Sequence, residues 1–238
     1  MNPTSAGGAR SGTLSEPQVQ AMFDRIASVY DLMNSVMTAG LHHRWRSRAA
    51  DLAAVREGSR ALDVATGTGD LAIELKRRVG SSGEVIGSDF SEGMLELARA
   101  KAGDIDFEHG NALGLPYDDD SFDAATVGFG ARNFSDLPRG LREMTRVVRP
   151  GGRVVVLEIT TPQKPPLSTF FSLWFDRIVP LLGKLADEPE AYTYLPSSVK
   201  RFPAPPALGA ELAAAGLADV RWILTAGGII ALHSGTKR

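Results

Sequence analysis

Residues 60–72 read RALDVATGTGDLA, a short apolar run that ends in a glycine pair and passes directly into residues of helical spacing. The order is strand, tight turn, helix. Gly67, Gly69 and Ala72 satisfy G-x-G-x-x-A. The glycines let backbone approach a ligand closely, and the free N–H groups at the helix start attract negative charge. Asp89 closes the next apolar run, EVIGSD, where a carboxylate can accept both hydroxyls of a ribose. On its own the pair suits more than one adenosine-bearing cofactor, and the glycines could also form only a tight turn.

Outward from this loop the unit repeats. EVIGSD reads as a strand, Ser91 to Ala102 as a helix and IDFEH as a strand; SFDAATV follows as a strand, Leu137 to Val148 as a helix capped by Ser135 or Asp136, and GRVVVLEI as a strand. Such alternation predicts right-handed crossovers and a mainly parallel sheet with helices on both faces. Upstream, Val19, Met22, Phe23, Ile26 and Val29 recur at helical spacing over Glu16 to Tyr30, and a second helical stretch covers Leu41 to Val55. Past Glu158 the rhythm breaks at the loop TTPQKPP, then come an apolar stretch from Ser168 to Leu185 and a last helix over Ala207 to Ala215. Two β-like runs, VRWILT and GIIALHSG, end the chain with only Ala226 and Gly227 between them, which predicts an antiparallel hairpin. The expected fold is α/β and Rossmann-like, a seven-stranded mostly parallel sheet with an antiparallel C-terminal strand. Residues 1–15 read as disordered and 16–238 as one domain, with 16–56 a helical cover and 160–205 an insertion on the substrate side.

Composition narrows the function. With 26 Lys+Arg against 28 Asp+Glu and a formal net charge of -2, no global basic field is present to attract polyphosphate, so nucleic acid is not an expected partner. Cysteine is absent, which removes disulfides, thiolate metal sites and cysteine nucleophiles. The opening residues lack the apolar segment of a secretory signal. The apolar window from Thr169 to Leu185 carries Asp176, Arg177, Pro180 and Lys184, a pattern for an amphipathic cover helix rather than a membrane span. A cytoplasmic protein is expected.

Three further features separate the cofactors. Asp63, just ahead of the glycines, suits the amino group of a methionine moiety and suits a pyrophosphate poorly. GNALGLP follows the third strand, where the Asn111 side chain and the Ala112 N–H can reach an adenine edge. SFDAATV and RVVRPGGRVVVLE then supply the fourth strand, the crossover and the fifth strand. Singly, Asp63 could cap the turn and Asn111 could be a solvated loop residue. Their joint order favours S-adenosyl-L-methionine over a nicotinamide dinucleotide.

The series LDVATGTGD, GSDFS, GNALGLP, FDAATV and RPGG resembles the class I methyltransferases, whose fold ends in such a hairpin. MFDRIASVYDLMNSVMTAGLHHRWR, FGARNFSD, AYTYLPSSVKRFP and GGIIALHSG are similar to the ubiquinone/menaquinone biosynthesis C-methyltransferases, over nearly everything from Val19 onward. The resemblance implies cofactor contacts at Thr68, Asp89, Asn111 and Ala112. Gly128 stands where many relatives have Ser, so only a backbone carbonyl is available there. ILTAGGI lacks the Asn that usually precedes the final hairpin. The implied substrate is a reduced prenylated quinone methylated on a ring carbon, demethylmenaquinol in first place and a ubiquinone precursor as the alternative. Methylation of another small apolar molecule, a nicotinamide-dependent oxidoreductase and a silent adenosyl-binding module are the competing readings.

The reaction needs a nucleophile held in line with an already activated methyl group, and no metal is expected. Arg132 of FGARNF, at the carboxyl edge of the fourth strand, is the leading candidate to stabilise a developing phenolate; it cannot act as a base near neutrality. Tyr30 and Asp31 are candidates to contact the substrate oxygen or, equally, to pack and cap a turn. His233 within a strand reads as structural, and the adjacent His42 and His43 as packing or surface residues. Phe170, Phe171, Leu173, Trp174, Phe175, Tyr192 and Tyr194 could line a channel for an isoprenoid tail or dip into a bilayer surface, giving peripheral contact on the inner face of the membrane. The oligomeric state is open, a homodimer among the options.

Overall fold

The computed structural model describes residues 14–173 and 189–238. The readings for residues 1–13 and for the apolar stretch beyond Leu173 as far as Leu185 lie outside the described residues. Ser15, expected to be disordered, is the N-cap of the first helix, and Gln18 accepts its backbone N–H at 2.9 Å.

Helix α1 (Glu16–Thr38) and α2 (Leu41–Leu52) precede the sheet. Then β1 (Arg60–Val64), α3 (Asp70–Val79), β2 (Glu84–Asp89), α4 (Glu92–Lys101), β3 (Asp106–His109), β4 (Phe122–Gly128), α5 (Leu137–Val147) and β5 (Val148–Ile159) alternate as expected. After β5 come α6 (Leu167–Leu173), α7 (Pro189–Arg201), α8 (Pro205–Ala214), β6 (Leu217–Thr225) and β7 (Ile230–Lys237). The sheet has seven strands in the order β3-β2-β1-β4-β5-β7-β6, with β7 antiparallel to both its neighbours. Strand order reverses between β1 and β4, and the crevice at such a point lies at the carboxyl ends of the strands.

The central strands are buried on both faces, which is why their sequences are continuously apolar. Along β5, Val154 and Val156 pack with Leu141, Met144 and Leu212 on one face, and Val155 and Leu157 pack with Leu71, Leu75 and Ala50 on the other. This period of two places helices on both sides.

Three boundaries differ from the expectation for local reasons. The first helix continues past Tyr30 to Thr38, where Ala39 and Gly40 turn left-handed and the Gly40 N–H bonds Ser35 O at 2.9 Å. β5 begins at Val148 rather than Gly152, because the RPGG segment pairs across a register shift opposite Phe122. The closing hairpin is not a two-residue turn. Ala226, Gly227 and Gly228 all have positive φ in a 3-10 turn, and pairing resumes at Thr225 and Ile230.

Candidate functional site

Asp63 sits near the carboxyl end of β1, in register with Thr126 of β4. It is buried, and its two oxygens accept the hydroxyls of Thr66 at 2.7 Å and Thr126 at 2.6 Å. Asp89 closes β2 and accepts the N–H groups of Gly67 at 2.8 Å and Ser91 at 2.9 Å. Burial raises both carboxylates to about 6, against the pull of those hydrogen bonds. The glycine loop supplies the floor between them. A Cβ on Gly67 would meet nothing within 4 Å and its φ is +57, whereas Gly69, at φ +83, has the Phe107 ring 2.8 Å from where a Cβ would stand. Gly67 thus opens onto the pocket and Gly69 packs α3 against the sheet.

Two pockets meet along this edge. Asp63, Thr66, Gly67, Thr68, Gly128 and Arg46 line one; it shares Ala65, Asp89 and Gly130 with a second lined by Asn111, Ala112 and Glu16. The Asn111 Oδ1 accepts the Leu113 N–H at 2.8 Å and its Nδ2 points to Glu16 at 3.4 Å, so Asn111 shapes its loop as well as facing the pocket. The cradle fits an adenosyl ligand: buried carboxylates for hydroxyl or amino groups and exposed backbone at Gly67.

Helix α1 closes over the trough. Gln20 donates to Phe90 O at 2.6 Å, and Asp24 accepts from Ser91 Oγ at 2.5 Å. Tyr30 reaches the pocket. Asp31 does not: successive helical residues are about 100° apart, and Asp31 turns to Thr68 Oγ1 at 2.6 Å and Lys101 Nζ at 2.5 Å. Tyr30 thus lines both neighbouring pockets and Asp31 lines neither. Asp31, Lys101 and Thr68 instead fasten the cover to the glycine loop, and Lys101 also pairs with Asp70 at 3.0 Å.

Beyond Phe23, Tyr30 and Phe129, which line both spaces, opens an apolar cavity of about 430 Å³. Met33, Met37, Trp45, Ile159, Phe170, Phe171 and Tyr194 contribute to its walls. Arg132 is the cation on its lining among the described residues. It is no surface residue: its Nη1 donates to Glu158 Oε1 at 2.9 Å and to the Phe129 carbonyl, and the two side chains are 8% and 1% exposed. Burial pushes Glu158 up, while Glu158 raises Arg132 against the cost of its own burial. Tyr194 donates to Asn133 Oδ1 at 3.1 Å. Trp174, Phe175 and the side chain of Tyr192 lie outside the described part of the chain.

His233 is buried in β7, with Nε2 bonded to Pro205 O at 2.9 Å and its ring stacked on Trp222, away from the site. His42, His43 and Asp70 bring potential ligand atoms within 4.8 Å of one another. Both His42 nitrogens are engaged, by Arg46 and by Ser35 at 3.2 Å, and the guanidinium beside them opposes a second cation. Burial, with Arg46 next, lowers His42 to about 4, so it stays neutral near pH 7.

The ubiE/COQ5 methyltransferase family model matches residues 12–237. The chain belongs to this family. It is 47% identical over 221 residues to a demethylmenaquinone methyltransferase from Thermus thermophilus, covering 91% of this chain and 100% of that one. A demethylmenaquinone methyltransferase from Deinococcus radiodurans is 48% identical over 92% of each chain, and a ubiquinone/menaquinone biosynthesis C-methyltransferase from Serratia proteamaculans is 39% identical over 94% of each. Among solved structures, a methyltransferase from Thermotoga maritima, named a possible histamine N-methyltransferase, superposes with a TM-score of 0.66 at 20% identity, over 92% of this chain and 99% of that one. A [4+2]-cyclase, SpnF, does so with 0.66 at 21%, over 96% and 99%. These likenesses carry the class I fold; a cyclase among them shows that the fold alone does not set the reaction.

As a member of this family the chain is an S-adenosylmethionine-dependent methyltransferase. Arg46, Lys101, Glu158 and Phe129 line or flank these pockets too, and the sequence reading singled out none of them. Glu158 had one signal, its position at the end of an apolar strand; Arg46 and Lys101 depend on α2 and α4 packing beside the loop.

Proposed function

We propose that this methyltransferase methylates a ring carbon of a reduced prenylated quinone, demethylmenaquinol ahead of a ubiquinone precursor. One observation carries the reading: an apolar cavity of about 430 Å³ joins the adenosyl cradle at Phe23, Tyr30 and Phe129. A ring with an isoprenoid tail needs that combination of a greasy volume and a polar end. The preference for demethylmenaquinol rests on relatives of that name at 41–48% identity, against 38–40% for those named for both quinones.

S-adenosylmethionine supplies a methyl group on a sulfonium, already activated for transfer. The protein orients and excludes water. Thr68, Asp89, Ala112 and Asn111 hold the adenosyl part, with Gly67 as its floor and Gly69 supporting the turn from behind, and Asp63 and the Gly128 carbonyl take the amino group. Arg132 stabilises negative charge on the ring oxygen, Glu158 fixes its orientation, and Tyr30 contacts the same oxygen. No helix among the described residues is long and apolar enough to cross a membrane. Leu32, Val36, Leu41, Phe170 and Leu173 are exposed, and three of them also line the cavity, which supports peripheral contact with a bilayer that holds the substrate.

Labelled S-adenosylmethionine incubated with reduced demethylmenaquinone and, separately, with a demethoxy-type ubiquinone precursor tests the reading. Label in the naphthoquinol is expected, at several-fold higher rate. Label in neither overturns the quinol assignment.

A further inference from the structure

We infer that Asn34 takes the second ring oxygen of the substrate, the one remote from the carbon that is methylated. The inference rests on the quinol reading and adds a residue to it. Asn34 lies on α1 one turn beyond Tyr30 and lines the apolar cavity with Met33, Met37 and Trp45. Its main-chain carbonyl accepts the Thr38 hydroxyl at 2.6 Å. Its side-chain amide holds no hydrogen-bond partner among the described residues, and Nδ2 is buried. Asparagine is a poor helix former, and an unpaired buried amide opposes folding. Leucine would suit both the helix and the cavity wall, so local structure gives no reason for an amide at this position.

Most other polar groups on the cavity wall are already engaged. His42 is held by Arg46 and Ser35, Tyr194 donates to Asn133, and the Thr38 hydroxyl is spent on the Asn34 carbonyl. Arg132 and Tyr30 serve the first ring oxygen, which leaves Asn34 for the second. Four residues of helix rise about 6 Å, the scale of the separation between oxygens on opposite sides of one ring. Tyr30 borders the cofactor pocket and Asn34 does not, so an oxygen at Asn34 lies one turn farther from the methyl donor. A turn of the amide about Cβ–Cγ, a broad torsion, presents Nδ2 to the cavity. An amide offers a donor and an acceptor, and a hydroxyl takes both. Held at both oxygens, the ring keeps one orientation and turns one carbon toward the methyl group.

Methyl transfer to two short-tailed substrates tests this: reduced demethylmenaquinone, and the naphthol analogue that keeps the hydroxyl beside the methylated carbon and lacks the remote one. Asn34→Leu should lower kcat/KM for the diol by on the order of 10-fold, the range of one hydrogen bond whose partner is left unpaired, and that for the naphthol by less than about twofold. The variant should melt at or above the parent's temperature, because an unpaired amide has left the interior, and should bind S-adenosylhomocysteine as the parent does. Equal loss on the two substrates, or loss on neither, overturns the assignment. Where the naphthol binds without turnover, its inhibition constant against the diol gives the same comparison. Should Asn34→Leu not fold, Asn34→Ala decides it by the same ratio. Methylation of neither substrate by a parent that binds S-adenosylhomocysteine overturns the quinol reading itself, a result distinct from equal loss on both.

Discussion

Arg132, on the wall of the apolar cavity, faces Glu158 behind it at 2.9 Å, both withdrawn from solvent. The pair brings a fixed charge beside an apolar cavity without leaving a bare cation in the core. Removing one partner leaves the other buried and uncompensated, whereas removing both need cost little. Glu158→Leu and Arg132→Met should each lower stability by about 3–5 kcal/mol, and the double variant should regain most of it. Methyl transfer should stay lost in the double variant. Chemical denaturation with a parallel activity assay separates the two effects; a double variant that is active would remove Arg132 from the chemistry.

Asp63 and Asp89 make ligand binding and stability depend on pH. Both are raised by burial to about 6, so the folded state keeps their protons to higher pH than the unfolded chain does. Their contribution to stability is full below about 4 and is lost as pH rises through about 6. His42, lowered to about 4, acts in the opposite sense over the same window, so the informative quantity is the difference between variant and parent. Relative to the parent, Asp63→Asn should gain on the order of 1–3 kcal/mol between pH 4.5 and pH 7. An ammonium seated on Asp63 favours the ionised form. S-adenosylhomocysteine affinity should therefore climb from pH 5 and level off above about 6.5, and Asp63→Asn should flatten the climb. A flat parent profile would count against that contact.

The two glycines of the loop should fail differently. Gly67→Ala places a methyl where nothing lies within 4 Å, at φ +57, so the cost is about 1–2 kcal/mol of backbone strain. Its methyl points into the cradle, and ligand affinity should drop by more than tenfold while the fold survives. Gly69→Ala meets the Phe107 ring at 2.8 Å and should destabilise the fold itself. Melting curves with and without S-adenosylhomocysteine distinguish them: a ligand-dependent loss for the first, a ligand-independent loss for the second.

The contrast between these glycines also shows what a sequence can disclose. G-x-G-x-x-A marks both, since both need left-handed backbone, but which one faces a ligand depends on Phe107, contributed by another strand. The same holds for the carboxylates. Asp63 and Asp89 were legible because strand ends in a parallel sheet line one crevice, and the alternating rhythm placed each strand end within a residue or so. Arg46, Asp70 and Lys101 were not, because their meeting depends on how α2 and α4 flank α3, which periodicity does not state. Asp31 was partly legible: once Tyr30 is assigned to the cavity, a step of about 100° turns its neighbour away. Extending α1 to Thr38 was readable in Met33, Val36 and Met37, whose spacing continues the helix into the cavity wall.

That extension carries the last prediction. Leu32 and Val36 lie one turn apart on α1 and are 67% and 71% exposed, beside Phe170 at 57%. Val36 and Phe170 line the cavity mouth, so a bilayer seated there would give a quinol tail a continuous apolar route from lipid to ring site. Burying such side chains in an interface stabilises contact by about 1.5–3 kcal/mol each, and a carboxylate in their place opposes it. Leu32→Glu with Val36→Glu should reduce co-sedimentation with phosphatidylglycerol liposomes by at least about tenfold. Turnover of a short-tailed, water-soluble quinol should change less than turnover of a long-tailed one presented in vesicles. Equal recovery of parent and double variant in the liposome pellet would mean that this face does not meet the membrane.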